Sequence, residues 1–458
     1  MSDQHDKLKQ LKTSSIDRRL SIAKASFLAG TRWAASSAST LFANEEDKEK
    51  KRKQAMKEQA DYLVTEIGKL KGSIVKIGQM MALYGEHFLP EEITQALNTL
   101  NNQTIALDWP IIEQQLRMQL GSKLNDLIID HEPLGTASLA QVHRATRKSD
   151  GLSIVLKVQY PGVADAIDSD MNLFKNMLKL TRLVPQTREF DQWFDEVREM
   201  MHREVNYKIE ADTTRRFAQR LAEDPRYIVP QIIEDYCTNQ VLCMTYEAGV
   251  PINSPVLLSL PQHRRNQLGE ASLEIAVREI FEWGEMQTDP NFGNYLVRLA
   301  EHESGHDQIV LLDFGAIRQF DQKLLGVARH LIEAGYDHSL DQMVYAMTDY
   351  DFFNNIPQSI KPDMAKVFLI ATEAFSSLLN NPDLPEGVMD EENRYDWKKS
   401  QLHNRVMQQA SKSMASRYFT IPPKEFMFIS RKFIGAYTFM TVIDAKTNVR
   451  RMLDKYHS

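Results

Sequence analysis

Apolar side chains recur at steps of three and four through Leu63, Ile67, Leu70, Ile74, Ile77, Met81 and Tyr84, which predicts an amphipathic helix across residues 59–86. Pro90-Glu91-Glu92 opens a second helix that carries Ile93, Leu97 and Leu100. Trp109-Pro110 opens a third, which Gly121 ends after Leu120. The period then falls to two. Residues 133–138 read as a loop, 139–146 as a strand, Ser149-Asp150-Gly151 as a turn and 153–160 as the returning strand, together a hairpin. Helices are expected over 164–183 and 191–222, the latter with Phe194, Val197, Met201, Val205, Ile209 and Phe217 on one face. Strands are expected over 226–233 and 239–246, the second broken at Tyr246-Glu247-Ala248-Gly249. Most of 261–285 and 321–458 reads as helix, interrupted over 382–392. No internal repeat is present, and the fold class expected is α+β.

Composition narrows the picture. The chain has 458 residues, 43% of them apolar, and a net charge of −7, so it supports a large core and shows no global affinity for nucleic acid. Its two cysteines, Cys237 and Cys243, form neither a metal-spacing cluster nor a disulfide framework, which fits a reducing compartment. No apolar run is long enough to predict a transmembrane helix. The expected setting is the cytoplasm or the matrix side of an organelle. The start of the chain differs in charge: from Arg18 to Asn44 there is no acidic residue, and Phe27, Leu28, Trp33, Leu41 and Phe42 punctuate small residues. Such a basic segment suits peripheral contact with an anionic membrane surface, or serves as an arm packed on the body. A charged linker follows.

Candidate chemistry lies in Asp289-Pro290-Asn291-Phe292-Gly293-Asn294, followed by Asp313-Phe314-Gly315 at the end of an apolar run. Phosphoryl transfer uses one Asp to orient the attacking hydroxyl, an Asn to hold a metal, and a second Asp to hold the metal bridging the phosphates. Asp289, Asn294 and Asp313 fill those places. Lys157, near the end of the second hairpin strand, is a point charge suited to the α- and β-phosphates of ATP. An amine among apolar neighbours needs a counter-charge. Glu210 is the leading partner, with Glu204 and Glu199 as competitors. The strand from Val241 to Glu247 would supply hinge backbone groups to adenine, with Met244 near the back of the pocket. The hairpin loop carries Gly135-Thr136-Ala137-Ser138 where ordinary protein kinases have a glycine-rich loop. Lys76 and Gln79, three apart, share a helix face around Gly78.

Together these residues resemble the UbiB/AarF/ADCK family of atypical kinase-like proteins associated with coenzyme Q, from about residue 60 onward. Lys76-Ile77-Gly78-Gln79 matches its KxGQ motif, and Gly135-Thr136-Ala137-Ser138-Leu139-Ala140-Gln141-Val142-His143 its alanine-rich loop. Lys157-Val158-Gln159-Tyr160-Pro161-Gly162-Val163 matches the region of its invariant lysine, and Asp313-Phe314-Gly315 matches directly. Glu204-Val205-Asn206 falls on its ExD motif and Asp289 to Asn294 on its DPHPGN loop. Asn206 stands where the family has an acid, Gln287 where a His precedes the catalytic Asp by two, and Asn291-Phe292 where it has His-Pro.

The resemblance implies a protein-kinase-like two-lobed fold with an N-terminal helical extension covering the active site. The expected domains are a basic arm and linker (1–58), the KxGQ extension (59–128), a small lobe (129–250) and a helical large lobe (251–458). It implies ATP and Mg²⁺ (or Mn²⁺) as cofactors, catalysis by Asp289, Lys157 and Glu210, metal held by Asn294 and Asp313, and a regulatory role for Lys76, Gln79 and Glu204. Nucleotide would be held by Gly135, Thr136, Ala137, Ser138, Lys157, Met244 and Glu247. The function expected is an ATPase or small-molecule or lipid kinase in isoprenoid-quinone (ubiquinone) metabolism. Its partners would be an isoprenoid lipid or quinone precursor, a membrane surface and other biosynthetic enzymes. The alternatives are a nucleotide-binding pseudokinase scaffold and a protein kinase.

Overall fold

The computed structural model of the protein describes residues 73–84, 89, 91–99, 106–180, 187–289, 291–301, 305–350, 352–353, 356–414 and 424–457, with isolated positions between 54 and 65. The basic segment from Arg18 to Asn44 lies outside these residues, as do Leu63, Ile67, Leu70 and Leu100. The chain divides into two units: residues 1–212 with 231–246, and residues 213–230 with 247–458.

In the first unit the three-and-four spacing gives α1 (Ser73–Tyr84) and α2 (Glu91–Asn98), and Pro110 and Gly121 bracket α3 (Trp109–Leu120). Gly121 has φ 56°, the left-handed stop a glycine accepts without strain. Strands β1 (Leu127–Ile129), β2 (Gly135–Thr136), β3 (Ala140–Arg147) and β4 (Ser153–Gln159) follow. The alternation around β3 and β4 is the expected hairpin, paired from Ala140↔Gln159 to Thr146↔Ser153. β1 was not among the expected elements, because three residues are too few to show a period. The expected loop is shorter than its pattern implied, because Gly135 and Thr136 pair with Val142 and Gln141.

Helices α4 (Val163–Leu180) and α5 (Arg188–Glu204) then cover the unit's core. Ile74, Ile77 and Met81 of α1 are buried in one cluster with Ile167, Met171, Phe194 and Val197. Burial of such side chains contributes about 1.5–3 kcal/mol each, which holds the extension on its own unit.

The single helix expected over 191–222 is two. α5 ends at Glu204 and α6 (Tyr207–Leu221) begins after a break at Val205-Asn206. The Asn206 side chain accepts the Ile209 N–H at 3.3 Å, the N-cap geometry for which Asn is favoured over continuing a helix. The expected common face is therefore split. Phe194, Val197 and Met201 are buried in the first unit, Phe217 in the second, and Ile209 is exposed.

The strand expected over 226–233 shrinks to β5 (Tyr227–Ile228) and a lone bridge, Ile232↔Met244; Pro230 removes a ladder donor between them. β6 (Val241–Thr245) lies beside β4 and closes an antiparallel sheet in the order β1-β3-β4-β6, with β2 alongside β3.

The second unit holds β5 in a sheet ordered β5-β10-β9-β7, with β7 (Val250–Pro251), β9 (Tyr295–Arg298) and β10 (Gln308–Leu311). A Cβ on Gly249 would meet Leu296 Cβ at 2.8 Å, so the chain enters β7 where no side chain fits. α7 (Gln262–Arg278) continues into a π-helical turn, Glu279–Trp283. Gly284, at φ 66°, then turns the chain into β8 (Glu285–Gln287), paired with β11 (Ile317–Gln319). The helix expected as far as residue 285 therefore ends earlier, and a strand takes its last position. Helices α8 (Gln322–Tyr336), α9 (Leu340–Asp349), α10 (Lys361–Ala371), α11 (Leu402–Met414), α12 (Lys424–Val442) and α13 (Val449–Leu453) make up most of the remainder. Among the described residues no helix is long and apolar enough to cross a membrane.

Candidate functional site

In the first unit, Lys157 stands mid-strand on β4 and its Nζ lies 2.7 Å from Glu210 Oε1. Glu210 is buried, with its side chain 3% exposed, and belongs to the first turn of α6. The break at Val205-Asn206 explains which glutamate pairs. Glu204 closes α5 and its Oε1 lies 2.5 Å from Lys76 Nζ of α1, so each glutamate takes a different lysine. Tyr207 supports the ammonium, with its ring centre 5.4 Å from Lys157 Nζ. Two residues along β4, Gln159 is buried and its amide donates to the Val205 carbonyl, a group left over at the end of α5. Lys157-Glu210, Gln159-Val205 and Lys76-Glu204 thus tie one strand and three helices together.

Beside this pair lies an apolar patch in which Met244 is buried with Ala140, Val155, Leu242 and Ala211. Ala137 N–H donates to Ala140 O at 2.8 Å, leaving Gly135 and Ala137 exposed and Thr136 and Ser138 half-buried. Glu247 belongs to the second unit, where its carboxylate pairs with Arg298 at 2.5 Å.

In the second unit the register Leu311↔Tyr295 and the bond from Leu312 N–H to Asn294 O, 2.9 Å, set Asn294 beside Asp313. Asn294 donates its amide to Asp289 Oδ2 at 3.0 Å, which leaves its carbonyl oxygen as the atom a hard cation would take. Asp313 Oδ1 accepts the Gly315 N–H at 2.8 Å, which fixes the carboxylate. An Asn oxygen and an Asp carboxylate side by side are a donor set that fits Mg²⁺ or Mn²⁺ shared with phosphate oxygens.

Gln287, which departs from the family pattern, is fully used. It is 5% exposed, donates to Asp313 O at 2.6 Å and accepts from Asp289 N at 3.1 Å. It thereby joins the two acidic loops. Neither Gln287 nor Gln159 stands among the residues expected from the sequence to serve the site. For Gln159 the available signal was a polar amide at the end of a largely apolar strand, which needs internal partners; for Gln287 it was the departure from the family pattern alone. The buried pair Glu279 and Lys432, close behind Gln287, carried no sequence signal.

A mid-strand lysine paired to a helical glutamate, an Asp hydrogen-bonded to the Asn five residues on, and an anchored Asp-Phe-Gly define a kinase-like protein. A solved structure, the Rv3197–erythromycin complex from Mycobacterium tuberculosis, shares this fold with a TM-score of 0.56 at 20% identity, over 89% of this chain and 98% of that one. The ABC1 atypical kinase-like domain matches residues 99–347, more than half of the chain, and the protein belongs to that family. It is similar to the mitochondrial atypical kinase coq-8 of Caenorhabditis elegans, at 26% identity over 87% of this chain and 51% of that protein. It is likewise similar to mitochondrial COQ8B of Rattus norvegicus (27%, over 87% of this chain and 72% of that protein) and mitochondrial COQ8 of Saccharomyces cerevisiae (27%, 86% and 75%). The chain thus spans about half to three-quarters of the length of these relatives.

Proposed function

We propose that the protein binds ATP with Mg²⁺ and transfers or hydrolyses its γ-phosphoryl group, with a small molecule or lipid as acceptor in ubiquinone metabolism. The observation that carries the reading is the Lys157–Glu210 pair, a charge arrangement that would present an ammonium to phosphates. Lys157 would neutralise the α- and β-phosphates, and Glu210 and Tyr207 would hold it in place. Asn294 and Asp313 would hold the metal, which supplies charge neutralisation at the transferring group. Asp289, oriented by Asn294 and by the Gln287 contact to its backbone, would accept the proton of the attacking hydroxyl or water. The residues at 135–138 and Met244 would line the nucleotide's path, and Lys76, Gln79 and Glu204 would regulate it from the extension. The family likeness supports the quinone link, the mitochondrial relatives support an organelle-matrix setting, and the basic arm supports contact with an anionic membrane.

Measured ATP hydrolysis tests this reading. The wild-type protein should turn over ATP in the presence of Mg²⁺, and Lys157→Met should lower the rate about a hundredfold or more, the usual cost of removing one charge-stabilising group. Equal rates for both proteins would refute the assignment. The pseudokinase reading would return if Lys157→Met abolished nucleotide binding while the wild type bound ATP without turning it over.

A further inference from the structure

Lys432 sits on α12, far along the chain from the acidic loops, yet it is only 6% exposed. Its Nζ lies 3.0 Å from each carboxylate oxygen of Glu279. Glu279, 1% exposed, opens the π-helical turn between α7 and β8, and π-turns recur at functional sites. One Glu279 oxygen also accepts the Gln287 N–H at 3.3 Å. Gln287 is the residue whose side chain spans Asp289 N and Asp313 O. A chain of polar contacts therefore runs from α12 through Glu279 and Gln287 to both acidic loops, entirely within the second unit.

Burial pushes the Glu279 carboxyl above the usual carboxylate range, against the pull of Lys432. Desolvation lowers the Lys432 ammonium, but Glu279 and Tyr295 outweigh it and leave the group raised. A buried ion pair is weak evidence for stability, because well-packed apolar residues of similar size often replace one without loss. Its position behind β8, which runs into the Asp289 loop, is the informative property. Tyr295, the residue after Asn294, and Phe292 also flank Lys432 along the wall of a cavity of about 40 Å³.

We infer that the buried Lys432–Glu279 pair is a positioning device for the acidic loops: it fixes the Gln287 backbone so that the Gln287 amide can hold Asp289 and Asp313 in register. This rests on the phosphoryl-transfer reading above. Removing one partner would strand a buried charge, so the test uses the double variant Glu279→Leu/Lys432→Met alongside Lys432→Ala. Melting temperature, kcat and KM for ATP with Mg²⁺, and amide hydrogen exchange across 285–295 are the readouts.

The double variant should melt close to the wild type, keep its KM, lose kcat at least tenfold, and exchange the 285–295 amides at least tenfold faster. Lys432→Ala should regain kcat and protection on addition of methylammonium, which the cavity beside Lys432 can admit; the double variant, lacking the carboxylate, should not. If the double variant fails to fold, the methylammonium titration of Lys432→Ala decides: rescue supports the proposal and no rescue overturns it. Wild-type exchange in a folded double variant, or rescue of both proteins alike, also overturns it. Absence of ATP turnover by the wild-type protein counts against the phosphoryl-transfer reading alone, and exchange still decides the role of the pair.

Discussion

Three buried glutamines fix backbone that no regular ladder holds. Gln141 accepts from Leu107 N at 2.8 Å and donates to Leu107 O at 3.3 Å, clamping the segment ahead of α3 to β3. Gln159 and Gln287 do the same for the end of α5 and for the acidic loops. An amide offers a donor and an acceptor without a charge, so it can serve two backbone groups in a dry place. His143, next to Gln141 on the same face of β3, is bound by that logic. Its Nδ1 meets Asp130 O at 2.8 Å, so this nitrogen must donate, and its Nε2 meets the Gln141 amide nitrogen at 3.1 Å, so this one must accept. Only the neutral ring satisfies both. Burial lowers its affinity for protons below the ordinary value of 6.5. A lowered folded-state value means that the unfolded chain takes up the proton first as pH falls. Stability is therefore unaffected well above pH 6.5 and declines below it. Urea midpoints at pH 7.5 and 5.5 should fall further for the wild type than for His143→Gln. Equal falls would show that another group carries the acid sensitivity.

At the scale of elements, the break between α5 and α6 decides the arrangement of charges. An unbroken helix would have placed Glu204 and Glu210 on one rigid rod; the break sends one to Lys76 and the other to Lys157. Asn206 makes the break by capping α6. Asn206→Ala should cost about 1 kcal/mol of stability, whereas Asn206→Asp, the acid the family carries here, should cost little, since both caps are comparably good. Chemical denaturation would measure this, and an alanine variant as stable as the wild type would show that the cap contributes nothing. The sequence pattern shows α1, α3 and the β3–β4 hairpin, and makes Glu210 the leading partner of Lys157 ahead of Glu204 and Glu199, because each follows from a local period, a stop signal or a buried charge. It does not show the break, because apolar steps of three and four run through Val205 and on to Ile209 as if no cap intervened. Nor does it show β8, whose three residues follow a π-turn that helix periodicity cannot distinguish from one more turn. The clamp made by Gln287 was legible only as a departure from a family pattern, since its partners are backbone groups.

At the scale of the whole molecule, the proposed metal and nucleotide site at the acidic loops would couple ligand binding to the stability of the fold. Nucleotide that binds the folded state alone, at about 100 times its dissociation constant, adds about 2.7 kcal/mol. A thermal melt with ATP should rise on adding Mg²⁺ and lose that rise on chelation, and Asp313→Asn should show no metal-dependent part. An equal rise in that variant would place the ligand elsewhere.

The first unit is assembled from two stretches of chain, residues 1–212 and 231–246, with a piece of the second unit between them. During synthesis the strand that carries Lys157 is therefore finished long before its neighbour β6 exists. At roughly 5–20 residues per second the gap lasts on the order of ten seconds. Throughout that interval β4 has an open edge, lined by Leu156 and Val158, of the kind that recruits other strands. Until Tyr246 has left the ribosome, the lysine-bearing sheet thus keeps one unpaired edge of the kind that favours strand addition.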